Sequence, residues 1–423
     1  MTASSLAEQS VWSNRVFVKI LGAYSISNFG DWLDHIAIAM LFGFVWKVNP
    51  MLIALIPIVY ALPGTLLGHL VGVFCDKYNN LKLMIISDLL SAVLTALMAI
   101  SMQPTVILLV LLIRSTVGVV YYPAQQTLTR SILSGDQLLK GVSLNGMVSQ
   151  SAKIFGPILG AILVTMTTPS ICLFLNSTSF LISALILVSV PKITGSIVHP
   201  LGDSQPKFLA TWLEGWKGAI SNRIVLYNMM LALLVFMTIQ MVDTQLVVLL
   251  REQIPGKPNL FGWLISMIGI GALITITLLS RKTRLRSYAL LLGLSTFLIG
   301  ISFTWLSLTT SNTSSIVLFV SAFLAGIGTG LSSIGIQYLL IEKTDEEIFG
   351  RITGIYSSLT NLVFFVSPIL GGILVTRIGV SLTFRFIGVS LLVIGFVRYF
   401  GGLYLEYKET KIPFITCDEG EKY

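Results

Sequence analysis

Twelve apolar runs, each long enough to cross a hydrocarbon core at roughly 20 residues per helical span, fill most of this 423-residue chain. They cover approximately 17–46, 51–74, 82–102, 105–127, 141–166, 170–190, 224–250, 260–280, 287–308, 315–341, 351–376 and 380–405. No alternating ten-residue segments accompany them, which excludes an outer-membrane barrel. The runs predict an all-α membrane protein with twelve transmembrane helices. Pro57, Pro63, Pro157, Pro368, Gly326, Gly328 and Gly330 fall inside them. Such residues would damage water-soluble helices, but in a membrane bundle they permit close packing and local bends. Hydrophobic residues make up 54% of the chain and charged ones 11%, more apolar material than one soluble core could bury.

The chain is also written twice. Pro157-Ile158-Leu159-Gly160-Ala161-Ile162-Leu163-Val164 returns as Pro368-Ile369-Leu370-Gly371-Gly372-Ile373-Leu374-Val375. Nearly the same spacing relates Gly118 to Gly330, Gln125 to Gln337 and Asp31 to Asp243. The repeat predicts two pseudo-symmetric six-helix bundles, at 1–190 and 224–405, and a central site able to face either side of the membrane. Between them, 191–223 is polar and carries Pro191, Pro200 and Pro206, as a cytoplasmic linker would; 406–423 is a cytoplasmic tail.

The formal net charge of +8 is explained by topology rather than by nucleic acid. With both termini in the cytoplasm, the outer cations reduce to Lys47, Arg251, Lys257 and Arg377, the bias of a positive-inside protein. The chain is therefore expected in the plasma (inner) membrane, its first span retained, since no short apolar stretch with a cleavage site opens it. Cys75, Cys172 and Cys417 form neither a disulfide framework nor a metal-ligand spacing. No phosphate loop and no spaced nucleophile, base and acid occur, so neither an enzyme nor a cofactor is expected.

The ionisable residues inside the runs carry the functional expectation. Asp31 lies near the middle of the first run, where an ionised carboxylate is expensive unless it meets a partner, water or a proton. Asp34 and His35 lie one turn away, so the three can form one polar cluster; a purely structural pair with a cation of a neighbouring helix is the competing reading. Asp243, with Gln240 nearby, answers Asp31 in the second half, as a substrate or proton site or as a water-facing residue at a cavity mouth. Arg114 is always charged and must find an acid among Asp31, Asp34 and Asp88, or an anionic ligand. Asp88 itself is expected to pair with a neighbouring basic group. Lys153 could bind an anionic group or reach an interface, and Arg385 and Arg398 read as anchors near a span end. Tyr121, Tyr122, Tyr338 and Tyr356 fall on helices that would line a cavity, where aromatic walls suit amphipathic or cationic substrates.

Three strings then resemble the major facilitator superfamily. The loop after the second run carries Gly72, Asp76, Lys77 and Lys82 in that family's order, with Asn79 and Asn80 where Gly or Arg is usual. Arg114 precedes Gly118 by four residues, with Val117 replacing a polar residue, and the fifth run carries Gly156-Pro157 followed by Gly160, with Ala161 in place of a last Gly. Gly30-Asp31-Trp32, Tyr122-Pro123-Ala124-Gln125-Gln126 and Ser143-Leu144-Asn145 resemble the branch of macrolide efflux pumps and the enterobactin exporter; lysophospholipid transporters share part of that pattern. The resemblance implies a secondary transporter working by alternating access, a proton-coupled antiporter exporting a drug or siderophore. Asp31, Asp34 and Arg114 would couple the proton. Asp243, Gln240, His35, Lys153, Gln125, Gln337 and Tyr122 would bind substrate, while Gly72, Asp76, Lys77, Lys82, Gly118, Gly156, Pro157 and Gly160 would serve conformational change. An importer or flippase of a siderophore complex or lysophospholipid is the alternative, and a non-transporting receptor the second. One chain holds both repeats, so a monomer is expected.

Overall fold

The computed structural model describes residues 11–191, 222–280, 287–344 and 346–410, nearly all of them helical. The helices are α1 (Arg15–Met40), α2 (Pro50–Lys77), α3 (Asn80–Ile100), α4 (Pro104–Gly118), α5 (Tyr121–Ile132), α6 (Gly135–Met166) and α7 (Pro169–Val188). After the undescribed segment come α8 (Arg223–Asp243), α9 (Leu246–Gln253), α10 (Leu260–Ser280), α11 (Tyr288–Ser307), α12 (Ser315–Lys343), α13 (Glu346–Ile378) and α14 (Val380–Thr410). The expected linker lies outside the described residues except at its two ends, as does the tail beyond Thr410.

Helix starts follow from local chemistry. Asn49, Gln103 and Thr168 each precede a proline at the first helical position, where the missing N–H costs nothing. Asn14 Oδ1 accepts from the backbone N–H groups of Val16 and Phe17, both at 3.1 Å, and Asn79 and Asn222 cap α3 and α8 in the same way. The fourth run is not one continuous helix. It breaks after Gly118 and resumes at Tyr121, because Pro123 has no N–H to continue the ladder and its ring would clash with the preceding turn. The seventh run likewise breaks at 244–245, and the first ends in a π-helical turn, Leu41–Val45.

Among the described residues, eleven helical segments are long and apolar enough to cross a membrane. Their outer faces display Leu66, Ile86, Leu90, Val93, Leu97, Leu109, Leu185, Val393 and Phe396, a belt that lipid accepts and water does not. At 26 residues α1 is also long enough, but it carries Asn28, Asp31, Asp34 and His35.

The packing repeats itself. In the first half α1 packs on α6 and α7, α3 on α4 and α7, and α2 on α4; in the second, α8 packs on α13 and α14, α11 on α12 and α14, and α10 on α12. One hydrogen bond is also duplicated: Asn14 Nδ2 donates to the Ile132 carbonyl at 3.2 Å, and Asn222 Nδ2 to the Lys343 carbonyl at 2.8 Å. Between the halves, α2 meets α13 and α6 meets α10. Small residues allow this approach; a Cβ on Gly262 of α10 would overlap Ala161 of α6.

Among the described residues, the apolar core that the two halves share lies at one end. Ile36, Phe42, Ile53 and Ile56 of the first half and Val235, Val247, Leu250 and Leu264 of the second belong to a single apolar core, whereas at the end bearing Val11 and Leu405 each half has separate cores. Cross-half hydrogen bonds fall at the shared end: Gln245 Nε2 donates to the Pro50 carbonyl at 3.1 Å, and Arg251 Nη1 to the carbonyls of Val48 at 2.9 Å and Gly43 at 3.4 Å. The described residues are thus arranged like a V, closed at the 41–54 end.

Candidate functional site: a charged cluster in a cavity wall

Asp31 and Asp34 are three residues apart and so project from neighbouring positions of α1. The close approach of α6 and α7 fixes that helix. A Cβ at Gly156 would overlap the Trp32 ring, Gly160 sits against Ile36, and Gly30 sits against Asn176 and Ser179 of α7. The glycine–proline string of α6 is therefore a bearing surface for the acid-carrying turn of α1.

Arg114, on α4, reaches both acids. Its Nη1 donates to Asp34 Oδ2 and, at 3.3 Å, to the Thr95 hydroxyl of α3; its Nη2 donates to Asp31 Oδ1 at 3.2 Å. The guanidinium also lies 5.8 Å from the Tyr60 ring centroid and 5.4 Å from that of Phe180, distances at which an aromatic face attracts a cation. The two acids are unlike: the Asp34 side chain is 0% exposed and that of Asp31 43%. One guanidinium therefore holds a dry carboxylate and a wet one together, and whichever acid takes up a proton loosens its hold on the cation.

His35 does not bond the Asp31 carboxylate as a three-residue cluster would. Its Nδ1 donates to the Asp31 carbonyl at 2.7 Å, which places the hydrogen on Nδ1, and its ring stacks on Tyr60 at 4.1 Å.

Beside this cluster lies a cavity of about 500 Å³, the size of a site for one drug-sized molecule. Every span of the first half lines it: Tyr24, Asn28, Asp31 and His35 from α1, Tyr60 from α2, Asp88 and Ser91 from α3, Arg114 and Gly118 from α4, Tyr121 and Tyr122 from α5, Ser149 from α6 and Phe180 from α7. Among the residues expected from sequence, the cavity thus gathers Asp31, His35, Arg114, Gly118 and Tyr122, with Asp34 behind them. Gln125 is fully buried with neither amide atom bonded, and Lys153 is exposed on α6. Asp243 and Gln337 are exposed and Gln240 half-buried on the second half. None of these five lines the cavity. Lys77 and Lys82 are exposed at the α2–α3 turn; the surroundings of Gly72 and Asp76 lie outside what is described.

Two expectations fail. Asp88 has no ion pair with any described Lys, Arg or His; the Ser183 hydroxyl donates to its Oδ2 at 2.6 Å. Arg398 is not an anchor at a span end but is 0% exposed, donating to the Thr296 hydroxyl and the Asn228 carbonyl, because α14 packs there against α8 and α11. Sequence reading also missed Tyr60, Phe180 and the polar stripe of α3. Ser87, Ser91 and Thr95 recur every four residues in an apolar helix, a one-face spacing that would have exposed the stripe.

A chain whose described residues are helical, with eleven membrane-length segments among them and halves that pack alike beside a charged cavity, is built as a polytopic membrane transporter. It belongs to the major facilitator superfamily: residues 7–317 match the family described as "Transmembrane secretion effector" and residues 246–414 that described as "Major Facilitator Superfamily". The resemblance read from its motifs is thereby borne out. The chain is 28% identical to the uncharacterized MFS-type transporter YfiS of Bacillus subtilis (strain 168), over 90% of this chain and 92% of that one. It is 23% identical to macrolide efflux protein A of Streptococcus pyogenes, over 82% and 87%. With the staphyloferrin A transporter of Staphylococcus aureus (strain NCTC 8325 / PS 47) it shares 22%, over 88% and 92%. Its fold matches the crystal structure of the nucleoside transporter NupG, with a TM-score of 0.68 over 91% of this chain and 98% of that one at 14% identity.

Proposed function

We propose that the chain is a proton-coupled antiporter that exports an amphipathic small molecule, a drug or a siderophore, by alternating access. The observation that carries this reading is the Arg114 guanidinium shared by a buried and a water-accessible carboxylate in the wall of a drug-sized cavity. A proton taken up by Asp31 or Asp34 weakens that acid's hold on Arg114, and the freed guanidinium biases the packing of α1, α3 and α4 towards the other orientation. Cargo leaving the cavity and proton arriving are thereby linked.

In this reading α1 is the twelfth span, its polarity the cost of the coupling site. Two six-helix bundles, 1–190 and 224–405, then rock about their shared interface, joined by a cytoplasmic linker. The sparse cations at the closed end, Lys47, Arg251 and Lys257, make it the outer face. The structure is then the inward-open state of a monomer in the plasma membrane with cytoplasmic termini. The similarity to macrolide efflux protein A favours drug export. That to the staphyloferrin A transporter supports a siderophore as the second cargo.

Everted membrane vesicles separate these. Labelled macrolide is expected to accumulate under an imposed proton gradient, acid inside, and to be lost on adding a protonophore. Accumulation indifferent to the gradient would contradict proton coupling. Accumulation of a labelled siderophore instead of the macrolide would move the cargo to the second class.

A further inference from the structure

The cavity holds a second acid that Arg114 does not serve. Asp88 of α3 is 1% exposed and lines the cavity wall. Its described partner is neutral: the Ser183 hydroxyl at 2.6 Å, which in turn lies 3.4 Å from the Tyr121 hydroxyl. The groups that could have neutralised it are engaged elsewhere. Arg114 bonds Asp34, Asp31 and Thr95, and the His35 Nδ1 hydrogen is on a backbone carbonyl. Across the whole cluster three carboxyls, Asp31, Asp34 and Asp88, stand against one guanidinium, so the wall carries a formal excess of negative charge. A carboxylate so placed is costly to keep unless a proton or another positive group comes to it.

The surroundings state what kind of cation. The Tyr24 and Tyr121 rings stack with centroids 6.5 Å apart, Tyr122 is 6.4 Å from Tyr24, and all three line the same cavity as Asp88. Aromatic faces attract a cation within about 6 Å and give up little by excluding water from it. An onium centre carrying apolar substituents would use both the rings and the acid.

We propose that Asp88, with Tyr24 and Tyr121, forms a subsite for the charged centre of a lipophilic cation. The inference rests on the reading of the cavity as the cargo site and narrows that cargo: an organic cation is drawn in, and a polycarboxylate is opposed by the same charge.

Binding of tetraphenylphosphonium and of the neutral triphenylphosphine oxide to the purified full-length chain tests this. The cation is expected to bind the wild type more tightly. Asp88→Asn should lower its affinity about tenfold or more while leaving the neutral probe within about twofold, and Asp88→Glu should keep the preference. Unchanged phosphonium affinity in folded Asp88→Asn, or a neutral probe bound as tightly as the cation by the wild type, overturns the subsite and leaves the cavity reading standing. Should Asp88→Asn not fold, Tyr24→Leu carries the test: a loss of about three- to tenfold for the cation alone supports the subsite, and equal losses for both probes overturn it. If neither probe binds the wild type, the cargo-site reading falls and the subsite with it.

Discussion

Arg114→Ala is expected to abolish transport and to destabilise the protein by about 3–5 kcal/mol, the usual cost of stripping one partner from a buried ion pair. The magnitude follows from the burial of Asp34. Its side chain is 0% exposed, Arg114 is its described cation, and its Oδ1 is already without a hydrogen bond. Asp31 contributes less to this loss, because 43% of its side chain is exposed and can be hydrated. The two acids can therefore be separated. Arg114→Leu combined with Asp34→Leu should recover most of the stability, since an apolar pair replaces a buried ionic one, yet should remain inactive. Thermal unfolding in detergent and transport in liposomes read the two effects separately. An Arg114→Ala protein as stable as the wild type would show that the guanidinium does not neutralise Asp34.

Removing the Arg251 side chain is expected to open the closed end. Arg251 crosses from the second half to donate to the Val48 and Gly43 carbonyls, which lie where α1 unwinds through a π-turn and helix-end carbonyls lack intrahelical donors. Hydrogen bonds from a charged donor contribute about 1.5–3 kcal/mol each. Losing even one such increment shifts the balance between the two orientations by about tenfold or more. Spin labels at Lys47→Cys and Lys257→Cys, both exposed at that end, in a chain with its native cysteines replaced by serine, would report the change. Arg251→Ala should enlarge the population of longer distances. An unaltered distance distribution would mean that the apolar core and the Gln245 bond hold the halves closed without it.

Much of the architecture was legible because the physics of a bilayer is one-dimensional along the chain. Apolar length marks a span, and a duplicated Pro-Ile-Leu-Gly string marks a repeat that the paired Asn14 and Asn222 hydrogen bonds display in three dimensions. Asp31, Asp34 and Arg114 were legible for the same reason, since a charge in an apolar run announces itself. What stayed hidden depends on which helices touch. Nothing in the spacing says that Asp88 meets Ser183 rather than a cation, or that Tyr60 and Phe180 flank Arg114. The break between α4 and α5 was written in Pro123 but masked by unbroken hydropathy. Arg398 was misplaced because its burial comes from α8 and α11, which α14 meets only in three dimensions. The sequence match of Asp31 with Asp243 also conceals an asymmetry: one lines the cavity of the first half, and the other is exposed at the end of α8.

In the proposed mechanism cargo and proton movements are linked through the Arg114 cluster. This link is tested most directly by purified protein in liposomes containing a pH dye, challenged with a transported cation, with Asp31→Asn as the comparison. A cargo-dependent pH change is expected in the wild type and is expected to be lost in Asp31→Asn. Equal cargo-driven pH changes in both proteins, or robust transport with no pH change in either, would contradict it.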